Sequence, residues 1–205
     1  MKFLRSFLEV VFPPVCAACG VPGREPFCEL CKEALEPAPP FVIPGADRAG
    51  ALWLHGGPAA LAVQHLKFHD HPELGRPLGE AMQVVLPEFG PIDLAVPVPC
   101  SPGRLRDRGY NQARELLRGL GLPVKVRALS RTKEVPPQVG LDRAGRLENL
   151  VGAIGLGPEA QALAGRRVLL VDDVITTGAT AQAAAAALRA GGAGAVLVLA
   201  LTRAE

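Results

Sequence analysis

Aromatic side chains make up only 4% of this 205-residue chain, with one Trp and one Tyr. A core built almost without rings must be aliphatic. A hydrophobic share of 49%, largely Leu, Val and Ala, is enough to supply one. Long apolar runs are also missing. No stretch approaches the roughly 20 residues a membrane-spanning helix needs, so a helical membrane protein is excluded. The opening MKFLRSFLEVVF starts with charge, but Glu9 interrupts its short apolar run. It reads as an amphipathic helix rather than a signal peptide, and the expected location is the cytoplasm. A strong excess of one charge is lacking too, the formal net charge being +2. That charge is unevenly spread. Residues 101–149 carry 11 Lys and Arg against 5 Asp and Glu, whereas residues 1–47 carry 4 against 6. A basic central segment invites anionic ligands. The acidic N-terminal segment makes direct nucleic-acid binding there an unfavourable expectation, because such binding leans on cationic contacts.

Four of the five cysteines are Cys16, Cys19, Cys28 and Cys31, in the spacing C-x2-C, eight residues, C-x2-C. Each pair makes a tight turn that points two thiolates inward, and two such turns complete a tetrahedron suited to structural Zn²⁺. Two disulfides are the alternative, which a cytosolic chain disfavours. Cys100 stands alone and reads as a buried small hydrophobe. His65, His69 and His71 lie near Asp70, but their spacing equally suits an exposed turn.

The chain divides into a cysteine knuckle with its proline-rich linker at 1–44 and an α/β domain at 45–205. PAPPFVIP at 37–44 reads as a stiff extended spacer. Beyond it, strands are expected at Ala51–His55, Asp93–Val98, Val124–Leu129, 168–171 and Ala195–Leu201. Helices are expected at Pro58–Phe68, about Glu73–Leu86, Asn111–Gly119 and behind Gly178 as far as about Ala190. Residues 130–150 show no periodicity and read as mobile. Strands alternating with helices imply a mostly parallel sheet covered on both faces.

Residues 168–180 read VLLVDDVITTGAT. An unbroken apolar strand is followed by Asp172 and Asp173, then by Val174, Thr176, Thr177, Gly178, Ala179 and Thr180 ahead of an alanine-rich helix. A strand, a hydroxyl-rich loop and a helix N-terminus form an anion cradle. Paired carboxylates accept hydrogen bonds from vicinal hydroxyls, so the run describes a ribose 5-phosphate site. A capping Thr180 beside a solvated acidic turn is the plain alternative.

This run resembles the signature of the type I phosphoribosyltransferases, which bind phosphoribosyl pyrophosphate (PRPP). The resemblance implies that Asp172 and Asp173 meet the ribose hydroxyls and that residues 174–180 hold the 5′-phosphate. The segment PVPCSPGRLRDRGYNQA, residues 97–113, resembles more narrowly the ComF family of competence-associated proteins with a phosphoribosyltransferase domain. The four-cysteine knuckle, Leu66-Lys67-Phe68, and Gln138, Leu141, Arg146 and Asn149 with Gly152 match the same family; Tyr110 and Ile154 depart from its commoner aromatic residues. That resemblance implies a type I phosphoribosyltransferase fold with a small zinc module. It also implies Arg104 and Arg108 on the pyrophosphate, Lys67 as a substrate contact and Mg²⁺ arriving with PRPP. The implied reaction transfers ribose 5-phosphate to a nitrogenous acceptor base with release of pyrophosphate, in nucleotide salvage or in competence and DNA uptake. A homodimer is left open, as are partners among DNA-uptake proteins. A non-catalytic PRPP sensor or scaffold is the alternative, since fold alone does not make an enzyme.

Overall fold

The computed structural model describes residues 14–23, 25–68, 71–131 and 153–205. The expected N-terminal helix, His69, Asp70 and the stretch holding Gln138, Leu141, Arg146, Asn149 and Gly152 lie outside the described residues. Four strands, β1 (Arg48–Leu54), β2 (Leu94–Pro97), β5 (Arg167–Ile175) and β6 (Ala195–Arg203), form one sheet in the order β1-β6-β5-β2, every pair parallel. The unbroken apolar runs explain this arrangement. Leu169, Val171, Leu197, Leu199 and Leu201 enter one buried cluster, while Val168, Leu170, Val196, Val198 and Ala200 enter the other. Alternate residues along each strand therefore feed opposite faces, and both faces are dry.

Helices α2 (Gly57–Phe68), α3 (Gly75–Met82) and α5 (Gln112–Leu120) cover the first face through Leu66, Leu78, Met82 and Leu116. Helix α6 (Ala179–Ala190) covers the second with Ala181, Ala184, Ala185 and Leu188, alongside the small antiparallel pair β3 (Leu129–Arg131) and β4 (Ile154–Leu156). The expected mostly parallel sheet flanked by helices is present, and the four cysteines of the N-terminal segment cluster together.

Four local expectations need correction. Val124–Leu129 is not a strand: Val124 makes a lone bridge to Ala95, and pairing resumes only at Leu129. Ser130 and Arg131, expected in a mobile stretch, close β3. The arginine-rich loop after β2 contains helix α4 (Pro102–Arg108). Ser101 Oγ accepts from the Arg104 N–H, Pro102 occupies the first turn, and Gly109 at φ 78° ends it, so caps rather than apolar periodicity make this helix. Residues 37–44 are not a free spacer. Leu54 N–H donates to Glu36 O and Ala38 N–H to Leu52 O, which lays the proline-rich segment along β1.

The cysteine turn, with the short helix α1 (Glu29–Glu33), is joined to the same core. Cys16, Ala17, Ala18 and Phe27 are buried in the cluster that holds Leu52 and Leu66. The Phe27 and Trp53 rings meet edge to face at 5.1 Å, and His65 Nδ1 lies 2.8 Å from Ala17 O.

Candidate functional site

Strand β5 does not end at the two acids, as the sequence led us to expect. It runs on to Ile175, pairing Asp172 with Ala200 and Val174 with Thr202 on β6. On its other side the partner stops early, because β2 ends at Pro97 opposite Val171. Among the described residues, one edge of β5 is open from Asp172 onward. Adjacent strand residues point to opposite faces, but side chains from either face can reach the same space around that edge. The acids are indeed in contact: Asp172 Oδ1 accepts from the Asp173 N–H at 2.9 Å.

Their environments differ. Asp173 is 8% exposed and forms an ion pair with Lys67 Nζ of α2 at 2.5 Å. Burial works to raise its pKa, but the Lys67 ammonium and the hydrogen bond with Asp172 together outweigh burial and hold the carboxyl below its ordinary value. Burial pushes the Asp172 carboxyl well up, and the neighbouring Asp173 charge pushes it further. The two acids are thus pushed in opposite directions, and the pair holds its negative charge more firmly on Asp173 than on Asp172. Behind them Thr202, fully buried, donates through Oγ1 to Asp173 O at 3.3 Å and meets His55 Nδ1 at 2.9 Å.

The cradle follows directly. Gly178 at φ 78° is the N-cap of α6, and Thr177 Oγ1 accepts from the Ala179 N–H at 3.4 Å. The cap is thus Gly178, not Thr180. The first N–H groups of α6 have no carbonyl of their own helix to meet. A Cβ at Gly178 would lie 2.6 Å from Ile43 Cδ1, so the proline-rich segment buttresses the loop from below. We expect Gly178→Ala to lower stability by about 1–2 kcal/mol through the left-handed backbone, with the Ile43 tip displaced. An unchanged urea midpoint would show that the loop does not hold this conformation.

Cations gather at the same edge. Arg104 is exposed on α4, and Arg108 lies over the Phe68 ring at 5.3 Å, which ties the arginine helix to the end of α2. Tyr110 Oη donates to Leu66 O at 2.6 Å, and Asn111 caps α5 through the Ala113 and Arg114 N–H groups while donating to Val98 O. Asn111 is accounted for by this cap.

Two residues escaped sequence reasoning. Arg131, at the end of β3, is half-buried within electrostatic reach of Arg104, Cys100 and Asp172, and its buried Nε has no hydrogen-bond partner among the described residues. Only its share in the local basic excess pointed to it. His55 could have been suspected as the residue that ends a buried strand just before Gly-Gly-Pro. Cys100 is half-buried beside these arginines rather than a core hydrophobe, and burial raises its thiol pKa.

The second chemical centre lies apart. The thiols of Cys16, Cys19, Cys28 and Cys31 all lie within 4.8 Å of one another, and Cys19 and Cys28 Sγ are 3.7 Å apart. Zinc–thiolate bonds of about 2.3 Å in a tetrahedron place sulfurs about 3.8 Å apart, so the donor set fits one Zn²⁺. The described histidines do not compete for it. His65 turns to Ala17 O, and His71 Nδ1 lies 2.6 Å from Glu73 Oε1. Among the described residues no helix is long and apolar enough to cross a membrane.

No family model matches the chain. Curated relatives do. "Competence protein F" of Haemophilus influenzae is 30% identical over 99% of this chain and 88% of that protein. "DNA utilization protein YhgH" of Salmonella typhimurium is 30% identical over 92% of this chain and 84% of that one. Among solved structures, a glutamine PRPP amidotransferase from B. subtilis is 18% identical, with a TM-score of 0.44 over 68% of this chain, which spans only 30% of the enzyme. A hypoxanthine-guanine phosphoribosyltransferase from Bacillus anthracis is 14% identical, with a TM-score of 0.37 over 63% of this chain and 66% of that one.

Proposed function

Because this chain belongs to the competence protein F family, we propose that it is a phosphoribosyltransferase-like protein that binds PRPP with Mg²⁺. In this reading it transfers ribose 5-phosphate to a nitrogenous acceptor and releases pyrophosphate. The observation that carries the reading is the open edge of β5, where Asp172 and Asp173 meet directly ahead of the Gly178 cradle. Asp172 and Asp173 bind the ribose hydroxyls. Thr176, Thr177 and Thr180, with the backbone of Val174, Gly178 and Ala179, hold the 5′-phosphate.

Lys67 has two roles in this account. In the free protein it neutralises Asp173. With PRPP bound, it is released toward the ligand as hydroxyls take over the carboxylate. Arg104, Arg108 and Arg131 stabilise the leaving pyrophosphate, whose charge compensates a crowd of guanidinium groups. Mg²⁺ supplies charge neutralisation on the pyrophosphate oxygens when bound. The displacement at the anomeric carbon develops positive charge on the ring, which the Asp173 carboxylate favours. Zn²⁺ in the cysteine site is structural, and thiolate ligands suit a reducing, cytoplasmic setting.

Pyrophosphate release from PRPP and Mg²⁺ across a panel of bases tests turnover. Tight PRPP binding without turnover selects the sensor or scaffold reading for competence or DNA utilization. Arg104→Ala, Arg108→Ala and Arg131→Gln should each weaken Mg-pyrophosphate by about tenfold, the scale of one charge-assisted contact, and ribose 5-phosphate far less. Equal losses for both ligands would mean that these side chains act through folding instead.

A further inference from the structure

A cavity of about 430 Å³ opens at the carboxyl ends of β1 and β6, lined among others by Ala34, Glu36, His55, Pro58, Arg203 and Glu205. None of the residues assigned above to PRPP forms its wall. Its volume is in the range of small-ligand pockets, roughly 300–1,000 Å³. It is nonetheless linked to the acids through two hydrogen bonds, from His55 to Thr202 and from Thr202 to the Asp173 carbonyl.

The chemistry of this cavity is opposite to that of the arginine side. Glu36 and Glu205 are exposed carboxylates at its lip. Its one arginine is engaged elsewhere: Arg203 donates to Pro39 O and Pro40 O and lies 4.5 Å over the Phe41 ring. A phosphate entering here would face two carboxylates with no uncommitted cation, so an anionic ligand is excluded. His55 sets the polarity of the inner wall. With the Thr202 hydroxyl proton on Asp173 O, Nδ1 of His55 donates to Thr202 Oγ1 and Nε2 carries the lone pair; this is the tautomer we assign. Burial, aided by the nearby Lys67 charge, lowers the imidazole pKa and keeps the ring neutral.

We propose that this cavity is the acceptor pocket, which takes an uncharged nitrogenous heterocycle of nucleobase size whose N–H donates to Nε2 of His55. The assignment rests on the ribose-phosphate reading for the ligand's role as acceptor, and on the cavity itself for the ligand's chemistry. It also gives the cysteine module a place in function. Ala34 and Glu36, just past Cys31, form the outer wall of the pocket, so the module shapes the acceptor site and not only the N-terminal core.

Equilibrium dialysis of adenine, hypoxanthine and uracil against the full chain, with and without saturating Mg-pyrophosphate, tests the proposal. At least one base should bind the wild type. Ala34→Trp, a filling change at an exposed position, and His55→Phe should each weaken that base by at least about tenfold, with Mg-pyrophosphate affinity held within about twofold. If no base binds while Mg-pyrophosphate does, the acceptor pocket is overturned and the ribose-phosphate reading survives. Unchanged base affinity in Ala34→Trp places the acceptor elsewhere and overturns the assignment. If the wild type binds neither base nor Mg-pyrophosphate, both readings fall together.

Discussion

Asp173→Asn should destabilise the folded protein by about 3 kcal/mol, whereas Asp172→Asn should cost less than about 1 kcal/mol at neutral pH. The difference follows from the partners of the two acids. Asp173 neutralises Lys67 in a pair whose side chains are 11% and 24% exposed, so its loss strands a mostly buried ammonium. Burial and the Asp173 charge both work against ionising Asp172, so an uncharged amide of the same size removes no favourable charge interaction. For a chain of this length, 3 kcal/mol is a fall in Tm of roughly 6–12 °C. The ion pair to α2 is what makes Asp173 the costlier loss.

The pH dependence separates the two further. Asp173 is held below its ordinary value of 3.8, so its contribution is present above that pH and fades as acid protonates the folded protein. The Asp173→Asn deficit should therefore shrink in acid. Asp172 is raised well above 3.8, so the folded chain keeps a proton that the unfolded chain gives up. Wild-type stability then declines as pH rises from that value, and Asp172→Asn should lose this dependence. Both variants should still weaken PRPP by about 1–3 kcal/mol, because each carboxylate accepts a ligand hydroxyl. Equal stability losses in the two variants, followed by thermal melts from about pH 2 to 8, would contradict the opposite shifts of the two acids.

Removing zinc should have a comparably large effect. Structural zinc sites contribute on the order of 10 kcal/mol to folding of small modules. Here that contribution is not confined to the knuckle. Cys16 and Phe27 are buried against Leu52, Leu66 and Trp53, and the following segment runs along β1 to place Ile43 under Gly178. Cys16→Ser should therefore abolish stoichiometric zinc, lower the Tm by at least about 10 °C and weaken PRPP as well. The pairing of the proline-rich segment with β1 couples the module to the site. Metal analysis showing no zinc in protein purified under reducing conditions, or a variant with wild-type melting, would contradict this.

What could be read from the chain in advance followed from local physics. Val168–Val171 has no alternation because both its faces are covered, and the four cysteines declare their geometry by spacing alone. The acids and the Thr-Gly loop were legible because a polar run directly after a buried strand has few structural excuses. What was missed depends on distant partners or on capping. The continuation of β5 through Asp172 and Asp173 breaks the apolar pattern because β2 stops at Pro97, a fact of pairing rather than of β5 itself. Helix α4 has no apolar stripe to announce it, only Ser101, Pro102 and Gly109. The Lys67–Asp173 pair joins residues more than a hundred positions apart. Arg131 and His55 are single side chains whose meaning comes from what the fold places beside them.

The central claim is that the open edge of β5 is a PRPP site. Isothermal titration of PRPP with Mg²⁺ into the wild-type chain and into the Asp172→Asn, Asp173→Asn double variant tests it most directly. The account predicts saturable binding of one PRPP per wild-type chain, competed by both ribose 5-phosphate and pyrophosphate, and its loss in a double variant shown by circular dichroism to be folded. Equal affinity in the two proteins, or no saturable binding to the wild type, would contradict it.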